Sequence, residues 1–148
     1  MIQVRQFIKK DFYNLELRDI DKQFVNPETI ERYLDTYELW GVFTYFNELN
    51  QIICIAGVIP YWEGTAELVL IPSVHIDNYK FTLFPSLRNS LNFIINDNKF
   101  QRVHATIRQD FKEAIRTAKF FGMREEGLMQ YYAKGYNYYI YAKCQQFH

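Results

Sequence analysis

Hydrophobic and polar positions recur along the chain with periods that change from one segment to the next. Residues 2–7 alternate in polarity and carry β-branched side chains, which is typical of a short strand. After Asp11, a candidate helix cap, apolar residues return at helical spacing and predict a first helix over residues 11–21. A second helix is predicted from Asn26, with Pro27 in its first turn. The chain is therefore expected to open with one strand and two helices.

The middle of the chain is rich in β-branched and aromatic residues. Residues 39–46 (LWGVFTYF) and 52–62 (IICIAGVIPYW) flank a polar turn and predict an antiparallel hairpin. A turn at Glu63 and Gly64 leads into a fourth strand over residues 66–71. Three consecutive strands are thus expected before the next helix.

Helical and strand patterns alternate after the fourth strand. Apolar residues spaced by three and four predict a long helix over residues 79–96, with Pro85 in its first turn or at a kink. Residues 102–107 alternate in polarity and predict a fifth strand. These elements are expected to pack as a helix against a sheet.

The C-terminal part is predicted as a helix followed by a hairpin. Asp110 is expected to cap a helix through Phe121, which Gly122 stops, and two strands follow around Gly135. The predicted fold class is α/β (α+β), with a mixed, mostly antiparallel sheet of about seven strands and about four helices. A single domain is expected over residues 1–148.

Composition and charge narrow the possible functions. Seventeen basic residues balance seventeen acidic ones, so no overall positive field favours nucleic acid. No run approaches the roughly twenty apolar residues of a membrane-spanning helix. We expect a cytoplasmic protein that binds neither nucleic acid nor membrane. Cys54 and Cys144 lie in apolar or strand-like runs and are expected to be buried thiols, and the histidines and cysteines lack the spacing of a metal site.

Two segments and the order of elements resemble the GNAT superfamily of acetyl-CoA-dependent N-acyltransferases. Residues 114–127 (AIRTAKFFGMREEG) are similar to the family's helix, glycine and strand segment, and residues 4–12 (VRQFIKKDF) to its first strand and Asp-capped helix. The resemblance covers essentially the whole chain. It implies a splayed sheet whose opening between the fourth and fifth strands receives a thioester.

The sequence departs from the family in the loop that binds the cofactor. Residues 74–84 (VHIDNYKFTLF) contain no glycine, and our alignment places Thr82 and Phe84 at the family's two glycine positions. Ala118 stands where many members have a tyrosine. Small phage-encoded proteins with this fold, including internal virion proteins, are similar in lacking the glycine loop. The resemblance therefore leaves two outcomes open, an acetyl-CoA site or none.

Candidate site residues follow from the resemblance and from the strand order. Glu67 on the fourth strand is the candidate base, or else a solvent-facing strand residue, and His75 is a candidate base or phosphate contact, or else a surface histidine. His104 lies within an alternating strand and is expected to be a packed or outward-facing side chain. The resemblance implies cofactor contacts from the end of the fourth strand, the loop after it and the long helix: Ile71, Ser73, Val74, Lys80, Thr82 and Arg88. Lys80 and Arg88 are otherwise ordinary solvated charges.

The C-terminal hairpin is unusually rich in tyrosine, over residues 131–141. Alternate tyrosines would face the core, and the others would form an exposed surface for a protein partner or a second copy of the chain. Two functions follow. The first is a catalytically silent domain that serves as a protein-binding, virion or accessory component. The alternative is an active N-acetyltransferase that moves an acetyl group from acetyl-CoA to a primary amine.

Overall fold

The computed structural model describes residues 1–147, which form seven strands, six α-helices and one 3-10 turn. The strands are β1 (Gln3–Gln6), β2 (Gly41–Phe46), β3 (Ile52–Trp62), β4 (Thr65–Pro72), β5 (Arg102–Arg108), β6 (Arg124–Ala133) and β7 (Tyr136–Cys144). The helices are α1 (Lys9–Asn14), α2 (Asp19–Phe24), α3 (Pro27–Glu31), α4 (Leu34–Leu39), α5 (Lys80–Asn98) and α6 (Lys112–Phe120), and the 3-10 turn is Ile76–Asn78.

The strands form one sheet in the order β1-β2-β3-β4-β5-β7-β6. Strand β1 pairs antiparallel with β2, β2 with β3, and β7 with both β5 and β6, whereas β4 and β5 run parallel. The parallel pair is where the chain crosses over through α5. The predicted class is confirmed: a mixed, mostly antiparallel sheet of seven strands with flanking helices.

Each of the two predicted N-terminal helices is divided into two short ones. The first is interrupted between α1 and α2, where the backbone at Leu15 and Arg18 is extended and the Glu16 carbonyl accepts a hydrogen bond from Val74 N–H (2.9 Å). That bond takes the place of an intrahelical one and holds the interruption. The second is divided near Tyr33, and it begins as predicted, with the Asn26 side chain accepting from Glu28 N–H (3.1 Å).

Two predicted helix caps are corrected. Asp11 does not precede α1 but lies in its first turn, where its carboxylate accepts from Ile8 N–H (3.1 Å). Asp110 does not cap α6, because its carboxylate pairs with Arg108 (2.6 and 2.8 Å) and the residue before the helix is Phe111. The stop at Gly122 is confirmed by its φ of +88°. Pro85 lies inside α5, past the first turn.

The chain contains two compact units. The first comprises residues 1–59 and 68–85, and its core is a cluster of buried side chains: Phe7, Phe12, Leu15, Leu34, Tyr37, Val42, Ile52, Ile55, Ile59, Val69 and Ile71. The second comprises residues 60–67 and those from 86 onward, with Leu91, Ile95, Val103, Met123 and Tyr141 among its buried residues. The expectation of a single domain stays a prediction.

The two cysteines differ in exposure, which corrects one expectation. Cys54 is buried in β3, and burial raises the pKa of its thiol, but Cys144 at the end of β7 is exposed. No helix within residues 1–147 has the length and apolar character needed to cross a membrane. Among these same residues, no three His, Cys, Asp or Glu side chains are grouped so that they could hold a metal ion.

Candidate functional site

The candidate site is built on the parallel pairing of β4 with β5. The register pairs Thr65 with Arg102, Ala66 with Val103 and Glu67 with His104. In this pairing Glu67 and His104 are partners on neighbouring strands, and both side chains are half-buried. Both strands continue beyond this pair, β4 to Pro72 and β5 to Arg108. A carboxylate and an imidazole therefore occupy neighbouring positions in the sheet.

Tyr61, near the end of β3, joins these two residues. Its phenol donates a hydrogen bond to Glu67 Oε2, and its ring lies edge-on to the His104 imidazole, with 5.2 Å between centroids and 73° between planes. The ring also contacts Trp62 at 5.7 Å. These contacts position the Tyr61 hydroxyl at the carboxylate.

Arg102 and Glu126 complete the cluster. Arg102 Nε donates to His104 Nδ1 (3.3 Å), and its guanidinium pairs with the Glu126 carboxylate (2.6 and 2.9 Å). Burial, and then the charge of Arg102, lower the pKa of His104 below 6.5. The hydrogen bond from Arg102 lowers the pKa of Glu126. His104 is thus a neutral imidazole at pH 7, whose Nδ1 is an acceptor and whose proton is on Nε2.

The arrangement suits proton transfer. A carboxylate that accepts one hydrogen bond from a phenol keeps further lone pairs for a proton from substrate. The sequence analysis selected Glu67, gave no role to Tyr61 and expected His104 to be a packed or outward-facing side chain. The predicted turn at Glu63 and Gly64 could have indicated that Tyr61 lies near Glu67, because a tight turn keeps the end of β3 close to the start of β4. His104 could be found only from the β4–β5 register.

The predicted residues at the end of β4 and in the loop after it belong to the first compact unit. Ile71 is buried in the core. Ser73 is fully buried, with its amide bonded to the Ile53 carbonyl (2.9 Å) and its hydroxyl to the Ile52 carbonyl. Val74 is exposed and bonded through its amide to Glu16. The His75 amide donates to Ser73 Oγ (3.1 Å), and the predicted role of its imidazole stays a prediction.

The start of α5 is the candidate phosphate contact. Lys80 is the first residue of this nineteen-residue helix, Thr82 is exposed in its first turn, and a helix N-terminus attracts anions. Lys80 pairs with Asp77 (2.7 Å), and the Thr82 and Leu83 amides both donate to the Tyr79 carbonyl (3.1 and 2.8 Å). The positive charges of Lys80 and of the helix N-terminus suit a phosphate. The Thr82 and Leu83 amides, however, are hydrogen-bonded within the chain, unlike the amides of an open glycine loop.

Thr82 and Phe84, at the aligned glycine positions, lie within α5 and not in the loop before it. Arg88 belongs to the second unit, where its guanidinium stacks on the Phe120 ring at 4.5 Å. That stacking gives Arg88 a structural partner. Lys80 and Thr82 are therefore the two predicted cofactor residues whose surroundings best suit a phosphate.

The strand order and the parallel pair with its crossover helix define the class: the chain has the fold of GNAT acetyltransferases. A GNAT family acetyltransferase from Bacillus anthracis matches with a TM-score of 0.73 at 18% identity, over 97% of this chain and 94% of the other. Spermidine N-acetyltransferase from Vibrio cholerae, in complex with CoA and spermine, matches with a TM-score of 0.71 at 14% identity, over 97% and 95%.

A GNAT family acetyltransferase from Elizabethkingia anophelis with acetyl-CoA bound matches with a TM-score of 0.68 at 11% identity, over 97% of this chain and 98% of the other. No protein-family model matches the chain, and no curated protein matches it in sequence. At these identities the similarity establishes the fold and leaves activity to be argued from the site.

Proposed function

We propose that the protein is an N-acetyltransferase that moves an acetyl group from acetyl-CoA to a primary amine in the cytoplasm. The observation that carries this proposal is the cluster at the β4–β5 pair, where the Glu67 carboxylate meets the Tyr61 phenol and lies beside a neutral imidazole. Two solved structures of the same fold contain CoA or acetyl-CoA, which supports the choice of donor.

In this proposal Glu67 is the general base. An amine is protonated at neutral pH, and its nitrogen can attack only after a base has taken a proton. The Tyr61 hydrogen bond orients the carboxylate, and His104, which is neutral, adds no positive charge that would oppose an ammonium. Acetyl-CoA, when bound, supplies an acyl carbon activated as a thioester.

Replacement of Glu67 by Gln tests the proposal. Because the amide cannot accept the proton in the same way, we expect kcat to fall by about 10²-fold or more while acetyl-CoA affinity and thermal stability stay near wild type. Glu63→Gln is the matched control, since Glu63 is an exposed carboxylate in the adjacent turn. The assay is steady-state acetylation of a panel of primary amines, with calorimetry for acetyl-CoA. Equal rates for Glu67→Gln and wild type would remove Glu67 from the mechanism.

A second candidate is a catalytically silent domain that binds a protein partner, as an accessory or virion component or as a homo-oligomer. The bonded Thr82 and Leu83 amides favour it, because they leave less backbone free for a diphosphate. Exposed tyrosines of the β6–β7 hairpin, Tyr131 and Tyr132, offer a surface for such a partner. Absence of both acetyl-CoA binding and turnover, together with a partner that co-purifies from the native source, would favour this candidate. Micromolar acetyl-CoA binding would count against it.

A further inference from the structure

A cavity of about 310 Å³ lies in the second compact unit, between the residues that follow β5 and the turn of the β6–β7 hairpin. Its volume is at the lower end of the range of about 300–1,000 Å³ that is usual for small-molecule sites. Gln109 follows His104 by five positions, which is about 16 Å along an extended strand, so the cavity is separate from the cluster at Glu67. Amides, phenols and a carboxylate line it, on Gln109, Asp110, Tyr131, Gly135, Tyr136 and Asn137.

The backbone of the hairpin is bent at the cavity. Tyr131 has a left-handed φ of 52°, which is uncommon for tyrosine, within a register shift of the β6–β7 pairing. Its amide donates to Asn137 Oδ1 (3.0 Å), and the Asn137 carbonyl accepts from the Gln109 amide (2.9 Å). Strained positions of this kind cluster at ligand sites, and a bulge re-aims the side chain it carries. The irregularity therefore places the exposed Tyr131 ring in the lining and fixes Asn137 beside it.

The charge of the cavity is balanced within the protein. Asp110 carries the only formal charge among the described lining residues, and Arg108 donates to both of its carboxylate oxygens (2.6 and 2.8 Å). The same guanidinium lies 3.8 Å from the centroid of the Tyr136 ring. A charged ligand therefore gains little net attraction here. The carboxylate, held in one orientation, keeps lone pairs that can accept hydrogen bonds from a ligand, and the Asn137 and Gln109 side-chain amides carry donors.

We propose that this cavity binds a neutral sugar ring, as a free monosaccharide or as the terminal unit of a glycan. The hydroxyls of a pyranose donate to a carboxylate and accept from a side-chain amide, and its C–H face packs on the electron-rich face of a phenol ring. Asp110 is the acceptor, Asn137 the donor and Tyr131 the ring in this arrangement. The inference goes beyond the proposed function and does not depend on it, because it uses none of the residues of the β4–β5 cluster.

Titration of the ¹⁵N-labelled full chain with methyl glycosides of glucose, galactose, mannose and N-acetylglucosamine tests the proposal by NMR. We expect at least one to bind with a Kd of about 1 mM, as suits so small a ligand, and to shift the amide signals of Gln109, Asp110 and Asn137. Because the ligand is uncharged, the Kd should be the same at low and high salt. Failure of all four glycosides to shift these signals, or binding of tetramethylammonium there in their place, would overturn the inference and leave the acetyltransferase proposal intact.

Two variants test the lining. Tyr131→Gly removes the ring and suits the left-handed φ, and Lys134→Gly is the matched control, since Lys134 has a similar φ of 51° in the same hairpin but is not a lining residue. We expect Tyr131→Gly to weaken sugar binding by about 10-fold or more and Lys134→Gly to bind as wild type, with thermal unfolding showing that both fold. Asp110→Asn, which keeps the shape of the side chain, should also weaken binding.

Wild-type affinity in both Tyr131→Gly and Asp110→Asn would overturn the assignment of this cavity. The source of the sugar is read from an oligosaccharide that ends in the sugar whose methyl glycoside binds. Tighter binding of the oligosaccharide than of the methyl glycoside would support the site with a glycan as its ligand, and weaker binding would support it with a free monosaccharide.

Discussion

Replacement of Asp11 by Ala should cost the protein a substantial part of its stability. Asp11 is only 2% exposed, and three groups donate to its carboxylate: the Arg5 guanidinium (2.6 and 2.8 Å), the Thr44 hydroxyl (2.6 Å) and the Ile8 amide (3.1 Å). Through these bonds one side chain ties β1, β2 and the start of α1 together. Its removal leaves each donor without this acceptor.

The magnitude follows from the three donors. Thr44 is fully buried, so its unsatisfied hydroxyl costs about 1–3 kcal/mol, and the loss of the bond to the Ile8 amide at the helix start costs about 1 kcal/mol. Arg5 is 47% exposed and can be hydrated, so its pairing contributes less than about 1 kcal/mol. The expected loss is about 3 kcal/mol, a large fraction of the roughly 5–15 kcal/mol that is usual for a domain.

Urea unfolding followed by circular dichroism measures this loss at pH 7, and Asp19→Ala is the matched control. Asp19 also lies in the first turn of a helix but is fully exposed, with one distant pairing to Lys22 (3.4 Å), so its removal should change little. A loss for Asp11→Ala no larger than that for Asp19→Ala would refute the reasoning. Similar stabilities of wild type and Asp11→Ala would mean that Arg5, Thr44 and Ile8 find other hydrogen-bond acceptors in the variant.

The stability difference between wild type and Asp11→Ala should also depend on pH. Burial raises the pKa of Asp11, but the hydrogen bonds from Arg5, Thr44 and Ile8 outweigh burial and hold this pKa below 3.8. A carboxyl whose pKa is lower in the folded state stabilises the fold above its unfolded pKa, and this contribution disappears as pH falls through the folded pKa. The stability difference between wild type and Asp11→Ala should therefore be constant from pH 7 to about pH 5 and shrink below about pH 4. A difference that stays constant to pH 2 would contradict this cause.

Two further predictions concern packing and thiol exposure. Gly57→Ala should destabilise the protein by at least about 3 kcal/mol, because a Cβ there would lie 2.0 Å from a backbone oxygen of the neighbouring strand. Gly127→Ala, with no atom within 4 Å of the added Cβ, should be tolerated, and thermal unfolding of the two variants measures the difference. Cys144 should react with a thiol reagent in the native protein, whereas Cys54, buried and with its pKa raised by burial, should react only after unfolding. Equal reaction rates of Cys144 and Cys54 in the native protein would contradict the predicted order of reactivity.

Local patterns were enough to predict most of the elements. The hydrophobic run over residues 52–62 gave the bounds of β3, and the glycines at 122 and 135 marked a helix end and a hairpin turn, because a positive φ favours glycine. The division of the first helix could not be predicted, since the bond from Val74 to Glu16 joins residues far apart in sequence. Such bonds override local helix propensity.

The candidate site was less accessible from the sequence. Glu67 could be proposed from its strand and the family resemblance, but its partners depend on register: a shift of one residue between β4 and β5 would turn His104 to the other face of the sheet. Tyr61 is near Glu67 in sequence, yet the pairing of β3 with β4 decides on which face of the sheet its side chain lies. Side-chain neighbours across strands are a property of the folded sheet.

Strand β6 is an edge strand of the sheet, and its pairing with β7 shifts register at two places. At the second irregularity Tyr131 has a left-handed φ of 52° and bonds through its amide to the Asn137 side chain (3.0 Å). A straight edge strand would present regularly spaced backbone donors and acceptors to another extended chain. The irregular edge formed by β6 does not. Growth of the sheet by an added segment at β6, and fibril-like stacking of copies along it, are therefore disfavoured.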